Sequence, residues 1–269
     1  MIYDCHLHTE FSGDCDVPVR IQIEKAISLG MKEICITDHF DHGSWFCEEN
    51  YELDIPAYIS ALKELQHKYQ NQIRINIGVE LGLMNREEKF LKQFAEQNGD
   101  DFDYIIGSSH FLGNCDPYGD AYWGSVNEEE TFEAYFDASL KRVRRLHDTF
   151  DAYGHLDYIV RYAPNKNKNY SYEKYAHLID PLLQVLVDNG KYLECNTGGY
   201  KYGLEEPNPC RPILSRYREL GGEAVTVGSD AHGPAHVGIG FERCRELLLD
   251  CGFRYYAVFH GRKAEMVKL

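Results

Sequence analysis

Short apolar runs recur along this chain, and each is followed by a polar turn and a stretch of helical periodicity. The runs cover residues 2–5, 34–37, 75–79, 104–109, 152–154, 192–196 and 225–229, and their Ile, Val and Tyr content reads as strands. Amphipathic helical patterns fill the gaps at 19–29, 55–70, 86–97, 128–150, 172–189, 211–220 and 237–250. Pro56, Pro181 and Pro212 are read as helix-start prolines, and Asn71, Gly190 and Gly221-Gly222 as stops. Strand and helix therefore alternate seven times, and a further short run, 255–259, closes the chain. Such a βα repeat predicts a parallel α/β sheet. No Ser/Gly/Pro-rich linker interrupts it, so a single domain over 1–269 is expected.

The polar residues that end these runs are the chemically informative ones. His6 and His8 follow the first run, His39 the second, Glu80 the third, and His110 the fourth. His155 follows the fifth, and Asp230 with His232 the seventh. In parallel α/β folds the C-terminal strand ends converge on one face, where chemistry is placed. Residues i and i+2 of a strand share a face, so His6 with His8, and Asp230 with His232, can each grip one ion. The same period sends Ile75, Ile77 and Val79 under the helices and Asn76, Gly78 and Glu80 inward. Thr226, Gly228 and Asp230 line up inward likewise. Six imidazoles and two carboxylates, with no cysteine among them, suit zinc, iron or manganese in a reactive rather than a structural site. His67, His147 and His177 fall within helical patterns and are read as surface residues.

Composition narrows the class. The net charge of −15, from 28 basic and 43 acidic residues, disfavours DNA or RNA as partners. No run of apolar residues is long enough to span a membrane, and no basic-then-apolar leader precedes the first strand. Nine cysteines without a CxxC pair read as reduced thiols, and a cytoplasmic location is expected. Arg161 and Lys201 follow the fifth and sixth strands and are candidates to face an anionic substrate, with Arg262 near the C-terminus as a third. The loop from 40 to 54 is acidic and aromatic. It either closes over the mouth to hold a cationic ligand or is a solvated surface loop, and its His42 is a candidate proton donor.

Taken in order, His6-Leu7-His8-Thr9, Thr37-Asp38-His39, Gly78-Val79-Glu80, Gly107-Ser108-Ser109-His110, Gly154-His155-Leu156-Asp157 and Gly228-Ser229-Asp230-Ala231-His232 resemble the motifs of the polymerase and histidinol phosphatase (PHP) superfamily. The segments around Gly154–Asp157 and Arg161-Tyr162, and Asn196-Thr197-Gly198-Gly199 with Lys201 and Pro207, resemble its stand-alone histidinol-phosphate phosphatases. The resemblance implies a distorted (β/α)7 TIM-like barrel with two to three divalent transition-metal ions. It implies one ion at His6, His8, Glu80 and Asp230, and a second at Glu80, His110 and His155, with Glu80 bridging. A third is implied at Asp14, His39 and His232, with Asp16 a rival to Asp14. Glu80, Asp230 and Arg161 would then be catalytic, with Arg161, Lys201, His42 and Arg262 toward the substrate. The implied activity is hydrolysis of L-histidinol phosphate to L-histidinol and phosphate. Two other readings stay open: a PHP phosphoesterase acting on nucleotides or nucleic-acid ends, and a metal- or partner-binding barrel without catalysis.

Overall fold

The computed structural model describes residues 3–269, without the side chains of Asp120 and Ala121, so the assignment of Ile2 to the first strand lies outside the described residues. Its strands are β1 (Tyr3–Asp4), β2 (Glu33–Ile36), β3 (His39–Phe40), β4 (Arg74–Gly82), β5 (Tyr104–Ser108), β6 (Ala152–Tyr153), β7 (Tyr192–Asn196), β8 (Ala224–Gly228), β9 (Tyr255–His260) and β10 (Lys263–Lys268). The helices are α1 (Val19–Ser28), α2 (Ile55–Tyr69), α3 (Glu88–Asn98), α4 (Asp120–Trp123), α5 (Glu128–Leu146), α6 (Tyr172–Asp188), α7 (Gly198–Lys201), α8 (Arg211–Glu219) and α9 (Phe241–Asp250).

One sheet runs β1-β2-β4-β5-β6-β7-β8-β9-β10, parallel up to the antiparallel β9–β10 hairpin, with β3 beside β4. This is the α/β fold that the alternating pattern predicts. Among the described residues the ladder does not close. The β1 and β8 segments are stitched instead by single hydrogen bonds: Cys5 N–H donates to the Val227 carbonyl at 3.0 Å, Asp230 N–H to that of His6 at 2.8 Å, and His8 N–H to that of Ala231 at 3.2 Å. The distortion of the barrel sits at that seam, between the strand ends that carry His6, His8 and Asp230.

Local chemistry sets the helix boundaries. Asp54 caps α2 by accepting from Ala57 N–H at 3.1 Å, with Pro56 in the first turn, and Asn127 caps α5 by accepting from Glu130 N–H at 3.1 Å. Tyr58, Ile59 and Leu62 of α2, and Phe132, Phe136, Leu140 and Val143 of α5, turn inward and are buried. Each such side chain contributes about 1.5–3 kcal/mol. Pro181 is a correction, because it lies inside α6 rather than at its start. The buried stripe Tyr175, Ile179, Leu182, Leu183 and Leu186 runs past it, and that packing outweighs the backbone bond it removes. Among the described residues no helix is long and apolar enough to cross a membrane.

Two strands escape the periodicity, and one helix starts late. β3 is two residues long, and it pairs His39 with Glu80 in register. β10 is largely exposed and shows no apolar alternation, yet the turn before it places Gly261 (φ 52°) and Arg262 (φ 63°) in the left-handed region, as a tight hairpin requires. The helix expected at 237–250 starts only at Phe241, after Gly240 in the left-handed region.

Candidate metal centre

Strand ends β1, β4, β5, β6 and β8 deliver their polar residues to one point. Glu80 lies at its middle, fully buried. Its Oε1 is 2.8 Å from His155 Nε2, 3.0 Å from His110 Nε2 and 2.6 Å from Ser108 Oγ. Its Oε2 is 3.0 Å from His39 Nδ1, 3.2 Å from His6 Nε2 and 3.4 Å from His8 Nε2. Asp230 Oδ1 completes the first group at 3.3 Å from His8 Nε2 and 3.8 Å from His6 Nε2. Asp230 holds φ 55°, a conformation that Asp tolerates better than most residues and that turns its carboxylate back into the barrel. Asp14 Oδ2 stands 3.2 Å from His232 Nε2 and 3.6 Å from His39 Nε2. Asp16 lines the same cavity but forms no ion pair with these rings among the described residues.

The donor set fits divalent cations. His6, Glu80 and His155; His6, His8 and Asp230; and His8, His39 and His232 each bring their ligand atoms within 4.8 Å of one another, as do His39, Asp41 and His110. Glu80 Oε2 and His39 Nδ1 are buried and lie 3.0 Å apart, yet neither makes a well-directed hydrogen bond. Unsatisfied buried polar atoms are costly, and a cation among them satisfies all at once. Without one, the charges lean on each other. Burial raises the Glu80 pKa, but His6, His110 and His39 outweigh it and hold the carboxyl well below its usual range. Burial likewise opposes a charged His110, yet Asp41 and Glu80 lift that imidazole to about 9. His8 goes the other way, lowered by burial and by His232 and His39.

Several residues that shape this cluster have no counterpart in the sequence-level assignment. Glu194, buried on β7, accepts from His155 N–H at 2.9 Å and fixes His6 through Nδ1 at 2.6 Å. Asp41 does the same for His110 Nδ1 at 2.9 Å. Asp38 accepts from Ser12 Oγ at 2.7 Å, and Ser12 Oγ lies 2.9 Å from His8 Nδ1. Such partners fix the tautomer and direction of a ligating ring. A signal for Glu194 was present, since it shares an inward face with Tyr192 and Asn196 in an otherwise apolar strand.

The cluster floors a cavity of about 410 Å³ whose wall includes Arg161, Lys201, Tyr158, Tyr162 and Tyr202. Arg161 is buried and already engaged, donating to Asp230 Oδ2 at 2.6 Å, Asn196 Oδ1 at 2.7 Å and Asn208 Oδ1 at 2.7 Å. Lys201 is exposed at the rim, 5.2 Å from the Tyr202 ring. Two candidates are not brought here. His42 stacks on Phe90 at 3.5 Å and pairs with Glu52 at 3.0 Å, held away from the cavity by α3. Arg262 is at the other end of the barrel. The hairpin turn carries it to Asp151 Oδ2, 2.5 Å away, beside the strand starts. The nine cysteines are free, as the absence of a framework implies.

A family model described as "PHP domain" matches residues 4–198. A protein named probable histidinol-phosphatase, from Clostridium acetobutylicum, is 34% identical over 94% of this chain and 95% of its own. A histidinol-phosphatase of Lactococcus lactis is 29% identical over 98% of this chain and 97% of its own. The crystal structure of histidinol phosphate phosphatase from Lactococcus lactis, complexed with zinc, L-histidinol and phosphate, aligns with a TM-score of 0.88. That alignment has 29% identity and covers 98% of each chain.

Proposed function

The chain belongs to the PHP domain family, and from that premise we propose that it is a metal-dependent phosphomonoesterase hydrolysing L-histidinol phosphate to L-histidinol and phosphate in histidine synthesis. The observation that carries this reading is one cavity holding both a His/Asp/Glu donor cluster and two cationic side chains on its wall. The relatives bear the same name over nearly their whole length, and the Lactococcus enzyme binds zinc with L-histidinol and phosphate. We assign the activity to one barrel domain over 1–269 and to the cytoplasm.

His6, His8, Glu80 and Asp230 would hold one ion, Glu80, His110 and His155 a second, and Asp14, His39 and His232 a third, giving two to three of zinc, iron or manganese. Bound divalent ions supply Lewis-acid stabilisation of phosphate oxygens and lower the pKa of water. The chain itself orients and excludes. Glu194 and Asp41 fix the His6 and His110 rings, and Ser108 fixes Glu80 Oε1. Arg161 has five N–H donors, three of them used on Asp230, Asn196 and Asn208, so it holds Asp230 in place and offers the remainder to the phosphate. Lys201 adds a mobile positive charge at the rim. Carboxylates dominate that rim, with Asp16, Glu49 and Asp116 all on the cavity. They favour a cationic leaving alcohol over a nucleotide or a nucleic-acid end.

The test is phosphate release from a panel of histidinol phosphate, nucleotides and 3′- or 5′-phosphorylated oligonucleotides. Histidinol phosphate is expected to be hydrolysed far faster than the others, and a preference for oligonucleotide ends would overturn the assignment. Arg161→Ala is expected to cost kcat/KM about one to two decades, from a charge-assisted contact of about 1.5–3 kcal/mol. Ion content should also fall, because Asp230 loses the partner that orients it. Unimpaired turnover in that variant would remove Arg161 from the site.

A further inference from the structure

Two loops build the outer rim of the cavity. Residues 42–54 contribute Glu49 and Tyr51, and residues 111–119 contribute Phe111, Asp116 and Tyr118. Among the described residues no hydrogen bond runs directly from one loop to the other. Their ring contacts are Phe46 with Phe111, edge to face at 5.1 Å, and Tyr51 with Phe111 at 6.3 Å.

Polar bridging falls to a residue outside both loops. Arg86 follows β4, the strand that carries Glu80, and its guanidinium donates to the Gly43 carbonyl at 2.8 Å and to Asn114 Oδ1. The same group lies 5.0 Å over the Phe46 ring, and Glu87 Oε1 steadies Nε at 3.4 Å. One planar fork thus touches the backbone of the first loop, a ring of the first loop and a side chain of the second. The loops need such a tie. Glu49 and Asp116 are like charges on facing rims, and no Lys or Arg forms an ion pair with either among the described residues. Burial, with Asp41 and Glu49 nearby, raises the Asp116 pKa against the Tyr118 N–H and His110, which lower it.

We infer that Arg86 is a positioning residue for substrate selection. It ties the two rim loops together so that Asp116 and Glu49, with the Tyr118 face, meet the cationic end of the leaving alcohol. This rests on the histidinol phosphate reading above. Tyr118 packs on Tyr162 at 5.0 Å, which makes the aromatic wall continuous from the rim to the residues around Arg161. An ammonium or imidazolium entering there would find carboxylates on one side and ring faces on the other. It would also relieve the repulsion that Arg86 otherwise restrains. Esters without a cationic leaving group would take nothing from this arrangement.

The experiment compares Arg86→Ala and Arg86→Lys with the parent in metal-loaded enzyme, on histidinol phosphate and on phenyl phosphate. Arg86→Ala is expected to raise KM for histidinol phosphate about tenfold, because loop ordering must then come from binding itself. Its kcat, its ion content and its kcat/KM on phenyl phosphate should stay within about twofold. Arg86→Lys keeps the charge but not the fork that spans two acceptors, so its KM should fall between. Equal losses on both esters, or an unchanged KM, would overturn the inference and leave Arg86 a residue of the fold alone. A parent enzyme that does not hydrolyse histidinol phosphate would overturn the functional reading instead, and the two failures are read from different proteins.

Discussion

Exchange of Glu80 for Gln is expected to lower turnover by about three decades or more while leaving the barrel folded. Among the described residues no other side chain faces so many donors. One oxygen meets His110 and His155, and the other meets His6, His8 and His39, at 2.8 to 3.4 Å. Gln keeps the volume and one acceptor, but it removes the charge on which the proposed bridging of two cations would depend. At least one ion should therefore be lost, which elemental analysis of purified protein will register. The fold should survive, because the imidazoles that Glu80 keeps charged can release their protons when it is neutral. Thermal melts and circular dichroism would show that directly. Near-normal turnover with full ion content would mean that Glu80 does not bridge.

Most of this centre was legible in the sequence because barrel geometry turns a one-dimensional pattern into a point. A residue at the end of each parallel strand must face the same mouth, so His6, His39, Glu80, His110, His155 and Asp230 could be gathered without coordinates. Period 2 then placed Glu80 inward, and its neighbours confirm the direction: a Cβ on Gly78 would meet Cys35, Thr37 and Tyr104, inside the barrel. What stayed hidden lies where sequence distance carries no geometry. Arg262 has the charge of a phosphate ligand, but the hairpin turn sends it to Asp151 at the far end. His42 sits three residues past His39, yet the chain leaves the sheet at Phe40 and stacks the ring on Phe90. Glu194 ends no run; its inward face is readable from period 2, but its place behind His6 and His155 comes from the fold. The two rim loops have no periodicity at all, so their suture by Arg86 could come only from the structure.

Removal of metal by a strong chelator is expected to abolish turnover, and restoring two to three equivalents of zinc or manganese to recover it. The pH dependence of reloading follows from the charges in the metal-free cluster. His110 is lifted to about 9 by Asp41 and Glu80 against the effect of burial, and His6 and His39 are raised as well. An ion must displace those protons, so apparent affinity should fall about tenfold per pH unit for each proton displaced as pH drops below about 9. Stability of the stripped protein carries the opposite sign. A raised folded-state pKa contributes stability that is fully present below the unfolded value near 6.5 and is lost as pH rises through about 9. Stripped protein should therefore melt lower at pH 9 than at pH 6.5, while the gain from added metal grows over the same interval. Chelator competition followed at several pH values, with melts of both forms, measures the two slopes together. Full activity in protein shown to be free of metal would end the assignment of this cluster as the reactive centre.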